Sequence, residues 1–218
     1  MREQQSNLKN KGGIYVVITK IKKSKKGNIL IYADNNYLAS VLPEVFIKSS
    51  LKIGSYIDDE ILENLNEEIN LNKAKEKALR LLSFRAHSKH ELKNKIKNSL
   101  GEKYAEKAAE KMENLGLVND NEFALLYAKE LFLKKLYSIK RIKYELAKKG
   151  IENNIIEETI SKIDINEEEN IKKIFLKKHI NKNTLGDEKE FGKLVSYCQR
   201  LGYSWSVINS AINDFKEN

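Results

Sequence analysis

Residues 138–160 read SIKRIKYELAKKGIENNIIEETI, and the spacing inside this stretch decides the fold. Ser138 is a favourable N-cap, because its hydroxyl can accept a hydrogen bond from a backbone N–H that the first helical turn leaves unpaired. Ile139, Ile142 and Leu146 follow at helical spacing and make one apolar stripe. At about 100° per residue, Lys140, Arg141, Tyr144 and Lys148 fall on the opposite side. The outer face is therefore basic and carries one tyrosine. Gly150 comes after the last turn, where a left-handed residue commonly ends a helix. Ile151, Ile155, Ile156 and Ile160 mark a second apolar stripe.

The same pattern recurs towards the C-terminus as Asp187, Phe191, Val195, Gly202, Tyr203, Val207, Ile208 and Ile212. Counted from each glycine, the apolar offsets are +1, +5, +6 and +10 in both copies. A fainter copy, Ser88, Leu92, Ile96 and Gly101, lies upstream. The three caps at 88, 138 and 187 are about 50 residues apart, a period that points to stacked helical units. Each unit is too small to bury its own stripe, so its neighbours must cover it.

Composition agrees with a helical chain carrying long solvated faces. Of 218 residues, 41% are hydrophobic and 33% charged, with one proline and ten glycines. No apolar run approaches the roughly 20 residues that span a bilayer. The start, MREQQSNLKNKGG, lacks the apolar core of a signal peptide, and the single cysteine, Cys198, cannot form an internal disulfide. A cytoplasmic location is expected. The formal charge is +9, which permits nucleic acid or an acidic surface as partner. Its distribution says more. Lys134–Lys149 holds seven basic residues and one acid, whereas Glu152–Asn170 holds seven acids and one base. One basic surface and a separate acidic one are expected.

Taken in order, residues 1–12 read as a disordered tail. Ile14–Ile21 and Ile29–Ala33 read as a hairpin joined by KKSKKGN, followed by a short helix beginning at Pro43 and a short strand at Ser55–Ile57. A small β-containing module is expected over 13–70. Three helical repeats follow at 72–118, 119–164 and 165–218. Ser88 and Glu91 have capping-box spacing, and Asp120 is the expected cap of a helix running to Leu136. The fold class is mainly α, three tandem three-helix repeats behind a β-hairpin module.

Sites of chemistry are sparse. There is no phosphate-binding G-x-x-x-x-G-K-[ST] or G-x-G-x-x-G motif. His87 and His90 have no acid or cysteine at metal-ligand spacing, so no metal or cofactor is expected. Cys198 sits among apolar residues as a core thiol, and Trp205 reads as a packing anchor. The helix–glycine–helix pattern invites a helix-turn-helix reading. However, the second helix carries Glu152, Glu157 and Glu158, which phosphates would repel. Backbone contacts from the preceding basic helix fit better: Lys134, Lys135, Lys140, Arg141, Lys143, Lys148 and Lys149, with Tyr144 among them.

KALRLLSFRAHSKHELKNKI (77–96) resembles the first-repeat signature of the RecX family, with Arg85, Ser88, Glu91 and Leu92 in the places of Arg-x-x-Ser-x-x-Glu-Leu. GLVNDNEFA (116–124) is similar to that family's link into its second repeat. Arg141–Ile142, Glu145–Leu146 and Lys149–Ile151 resemble its second-repeat core, and RLGYS (200–204) its final repeat. Two positions depart from the pattern: His87 stands where the family has a second basic residue, and Tyr137 where a glycine is common. The resemblance implies a curved rod lying in the groove of the RecA–DNA filament. It implies suppression of ATP hydrolysis, strand exchange and co-protease activity, a place in homologous recombination and the SOS response, and no catalysis of its own. Arg85 and Lys89 join the residues expected to contact the RecA–DNA filament. The partners expected are RecA and single- or double-stranded DNA, with the chain a monomer. A stand-alone, sequence-nonspecific DNA-binding protein is the alternative.

Overall fold

β-Branched and aromatic residues crowd the segment from Val16 to Val41. In the computed structural model, which describes residues 16–217, they form three antiparallel strands. The expected tail and the first two residues of the expected hairpin lie outside the described residues. β1 (Val16–Lys23) pairs with β2 (Ile29–Ala33), and β2 with β3 (Asn36–Val41). After the short helix α1 (Pro43–Ser49), β4 (Tyr56–Ile57) returns to the free side of β1, giving the order β3-β2-β1-β4. The hairpin, α1 and β4 follow the sequence reading, whereas β3 does not appear in it. Its signal is the Asp34–Asn35 pair, with φ of 47° and 65°. A two-residue turn left-handed at both positions matches the twist of paired strands, and Asp and Asn tolerate that backbone.

One helix, α2 (Asp59–Phe84), joins the sheet to the first repeat. The Asp58 carboxylate caps it, accepting from Ile61 N at 2.8 Å. Its 26 residues span about 39 Å. Leu65 closes the sheet core over Ile18, Ile31, Val41 and Ile57. Further along, Ala74 and Ala78 are fully buried against α3 (Lys89–Leu100) and α4 (Glu102–Asn114), touching Leu92, Ile96, Ala105 and Met112. The helix thus runs unbroken through residues 70–72, where the sequence suggests a boundary. Its small residues let two helices approach closely on one side.

The second unit comprises α5 (Asp120–Leu133), α6 (Ile139–Lys148) and α7 (Asn153–Ser161). The third comprises α8 (Glu167–Lys177), α10 (Glu188–Arg200) and α11 (Trp205–Glu217), with a one-turn insertion, α9 (Lys182–Gly186). Ile142 and Leu146 are fully buried, as the stripe requires, and the +1 and +6 positions after both glycines are core: Ile151 and Ile156, Tyr203 and Ile208. Each unit has its own core, so four cores follow one another along the chain. Two details of α5 differ from expectation. Asn119, not Asp120, caps it, accepting from Asn121 N and Glu122 N. The helix also stops at Leu133; Leu136, with φ of 56°, turns away and enters the core of the third unit beside Phe175 and Cys198. Two buried side chains fasten that crossing: Tyr203 Oη donates to Leu136 O at 3.0 Å and Asn170 Nδ2 to Phe132 O at 3.0 Å.

The units are joined by one docking geometry used twice. The first amide of α3, Lys89 N, donates to Asp120 Oδ1 at 2.8 Å, and that of α6, Ile139 N, to Glu167 Oε1 at 2.6 Å. Asp120 and Glu167 each open the next unit's first helix, which explains why Asp120 leaves its own helix to Asn119. The serine caps reach further. Ser88 Oγ donates to Lys149 O at 2.6 Å, and Ser138 N donates to Leu201 O at 3.0 Å. Both carbonyls precede the glycine that ends the next unit's second helix. Each orphaned helix-end carbonyl is thus satisfied by the preceding unit's cap serine, through its hydroxyl at Lys149 and through its amide at Leu201. The approach is so close that a Cβ on Gly150 would collide with His90, and one on Gly202 with Ser138 and Arg141.

Candidate nucleic-acid interface

Charge patterning and the family resemblance together propose ten contact residues, and the fold divides them into two groups. Five are engaged in ion pairs within the protein. Arg85, at the end of α2, gives two hydrogen bonds to Glu91, Nη2 to Oε1 at 2.7 Å and Nη1 to Oε2 at 3.0 Å. Lys149 Nζ, from the second unit, reaches the same Oε1 at 2.9 Å and lies 5.6 Å from the centre of the Tyr127 ring. Burial opposes the charge on Glu91, but these two cations outweigh it and hold its carboxyl at about 2. Glu91 is therefore a bridge between units, and its side chain does not close the capping box with Ser88 that the spacing suggests. Lys89 Nζ pairs with Glu113 at 2.6 Å, which raises its pKa. Lys143 Nζ holds both oxygens of Glu157, at 2.7 and 2.6 Å.

Arg141 is the fifth. Its Nη2 pairs with Glu145 at 2.7 Å, and its guanidinium lies 5.6 Å from the Tyr137 ring centre and 5.3 Å from that of Tyr144. Instead of standing free on the outer face of α6, it packs at the junction with the third unit, against Gly202.

The other five stay open. Lys134 and Lys135 lie on the turn out of α5, Lys140 and Lys148 on the outer face of α6, and all four are exposed. Among the described residues none of these four joins an ion pair. Tyr144, between Lys140 and Lys148, is 57% exposed. A second lysine group, Lys20, Lys22, Lys23, Lys25 and Lys26, is exposed on the β1–β2 hairpin. There Lys22 lowers the pKa of Lys20, first through a hydrogen bond and then by repulsion.

The remaining candidates are structural. His87 is buried, with Nδ1 2.9 Å from Arg85 O, and burial lowers its pKa. It does not supply the exposed charge that the family pattern has at this place. The left-handed turn before α6 is made by Leu136, one residue ahead of Tyr137. Cys198 is fully buried and its thiol is pushed up to about 11. Trp205 is half exposed and meets Phe191 edge to face, with ring centres 6.4 Å apart. Among the described residues no group of three or more His, Cys, Asp or Glu could hold a metal ion, and no helix is long and apolar enough to cross a membrane.

Three helical units docked by a repeated junction, behind a four-stranded sheet, define a tandem three-helix-repeat protein. Comparison with known proteins makes this specific. Residues 74–111 match the first three-helix domain of RecX, and residues 119–160 the second. The regulatory protein RecX of Clostridium acetobutylicum is 35% identical over 92% of this chain and 97% of its own length. That of Clostridium beijerinckii is 31% identical over 88% and 91%. A crystal structure of a regulatory protein RecX superposes with a TM-score of 0.67 at 23% identity, covering 91% of this chain and 99% of the other. RecX from Lactobacillus salivarius gives 0.53 at 24% identity, covering 68% and 98%, so the fold is shared. The chain belongs to the RecX family of regulatory proteins.

Proposed function

We propose that this chain is a non-catalytic regulator of the RecA recombinase in the cytoplasm. It lies as a monomer in the groove of the RecA–DNA filament and mostly inhibits ATP hydrolysis, strand exchange and co-protease activity. Membership of the RecX family carries this reading. The repeat architecture supports it, because units docked end to end suit a partner that is itself a repeating filament. The split of charge supports it too. Lys134, Lys135, Lys140 and Lys148 are left over after the internal ion pairs form, and unpaired lysines serve phosphate contacts without reading sequence.

RecA-driven joint-molecule formation, with the chain titrated in, tests the proposal. Yield should fall with dose, and unchanged yield at excess protein overturns the reading. The same four lysines favour one alternative, a DNA-binding protein that acts without a recombinase. It requires strong, salt-dependent binding to bare DNA at physiological salt. Weak binding there, together with inhibited strand exchange, removes it.

A further inference from the structure

Lys140, Tyr144 and Lys148 follow one another at four-residue intervals along α6, so their side chains leave one face at steps of about 6 Å. That step is similar to one nucleotide of an extended single strand. Both lysines are exposed, and among the described residues neither joins an ion pair. The tyrosine between them is 57% exposed, although burying a ring of that size is normally favourable. One side of the ring is fixed. The Arg141 guanidinium sits 5.3 Å from its centre, and is itself held by the Tyr137 ring and by Glu145 at 2.7 Å. Tyr144 therefore rests on a braced cation and turns its free side to solvent.

We propose that Tyr144 is a stacking platform for one unpaired base of single-stranded nucleic acid, with Lys140 and Lys148 taking the flanking phosphates. The inference rests on the nucleic-acid face in the regulator reading and deepens it by naming the strand state that face selects. An unpaired strand offers a base plane and phosphates together, and a base–aromatic stack is tolerant of sequence. A duplex keeps its base planes inside, so it offers the stripe only phosphates. The lysines serve both forms and the tyrosine serves only the single strand.

The test is fluorescence anisotropy of the full chain with three labelled probes: a short single strand, the same strand in a duplex, and the same strand with its bases removed. The single strand should bind more tightly than the duplex, and removing the bases should abolish that margin. Tyr144→Ala should weaken single-strand binding about tenfold, the loss of one stack, and leave duplex binding unchanged. Tyr144→Phe should bind like the parent. Lys140→Ala with Lys148→Ala should weaken both forms together. Equal parental affinity for all three probes, or equal losses on single strand and duplex in Tyr144→Ala, overturns the proposal. RecA inhibition measured on the same proteins separates the two readings. Lost strand preference with inhibition intact removes only the stacking site; intact preference without inhibition removes only the regulator.

Discussion

Replacing Glu91 by glutamine should loosen the junction between the first two units, and the loss should depend on pH in a defined way. The carboxylate is held by Arg85 and Lys149 and its side chain is 15% exposed. Its pKa falls from 4.5 to about 2 in the folded protein. At roughly 1.4 kcal/mol per unit, the full shift corresponds to about 3 kcal/mol. The Arg85 side chain is 49% exposed, so water screens part of the attraction, and about 1–2 kcal/mol is the expected contribution at neutral pH. Because the folded pKa is depressed, the stabilisation is present above the unfolded value of 4.5 and is lost as pH falls towards 2. Urea unfolding of parent and Glu91→Gln across this range isolates the effect, since the other carboxylates titrate alike in both. The gap should hold from pH ~7 to ~5, shrink to less than half by pH ~3, and vanish near the folded pKa. A gap below about 0.3 kcal/mol at neutral pH, or one constant down to pH ~3, would refute the bridge.

The repeated junction makes Gly150→Ala much worse than Gly116→Ala. Both glycines have φ near +70°, but only at Gly150 would the new methyl group meet a neighbour, His90. The extra loss should be about 1–3 kcal/mol, read from urea midpoints at constant m-value, and equal losses would contradict the close approach. Removing the open lysines one at a time (Lys134, Lys135, Lys140, Lys148, each to Ala) should lower the salt-dependence slope of DNA binding by about 0.7–0.9 each. Lys89→Ala and Lys143→Ala should leave it unchanged, since their charges are matched by Glu113 and Glu157. Cys198, buried with its thiol raised to about 11, should resist alkylation at pH ~8 in the native protein and react on unfolding. Fast native labelling would place it at the surface.

Helix ends were legible because their signals are local. Ser88, Ser138 and Asp187 cap helices as their spacing indicates, and the +1 and +6 positions after Gly150 and Gly202 are core in both copies. The junctions were not legible, because they depend on which unit docks on which. Asp120 looks like a cap in sequence, but its carboxylate serves a helix 31 residues away. Gly150 and Gly202 look like ordinary helix stops, and nothing local says that the preceding repeat packs on them. β3 was missed because its turn uses Asp34–Asn35 without a glycine. The basic face was half legible. A helical wheel places Arg141 with Lys140 and Lys148, and the run of basic residues adds Lys143, but neither pattern can see Glu145 and Glu157 withdrawing Arg141 and Lys143 into ion pairs. Glu91 joins Arg85 to Lys149, which lies 58 positions beyond Glu91, and so unites two residues that the sequence reads as separate contacts.

The most direct test of the central claim is the single-stranded-DNA-dependent ATP hydrolysis of RecA with this protein titrated in, beside a variant in which Lys134, Lys135, Lys140 and Lys148 are all alanine. The account predicts a dose-dependent fall in turnover with the parent protein, a much weaker fall with the variant, and no effect on an unrelated ATPase. Unchanged turnover at saturating protein would contradict it, and the chain would then have to act away from the recombinase.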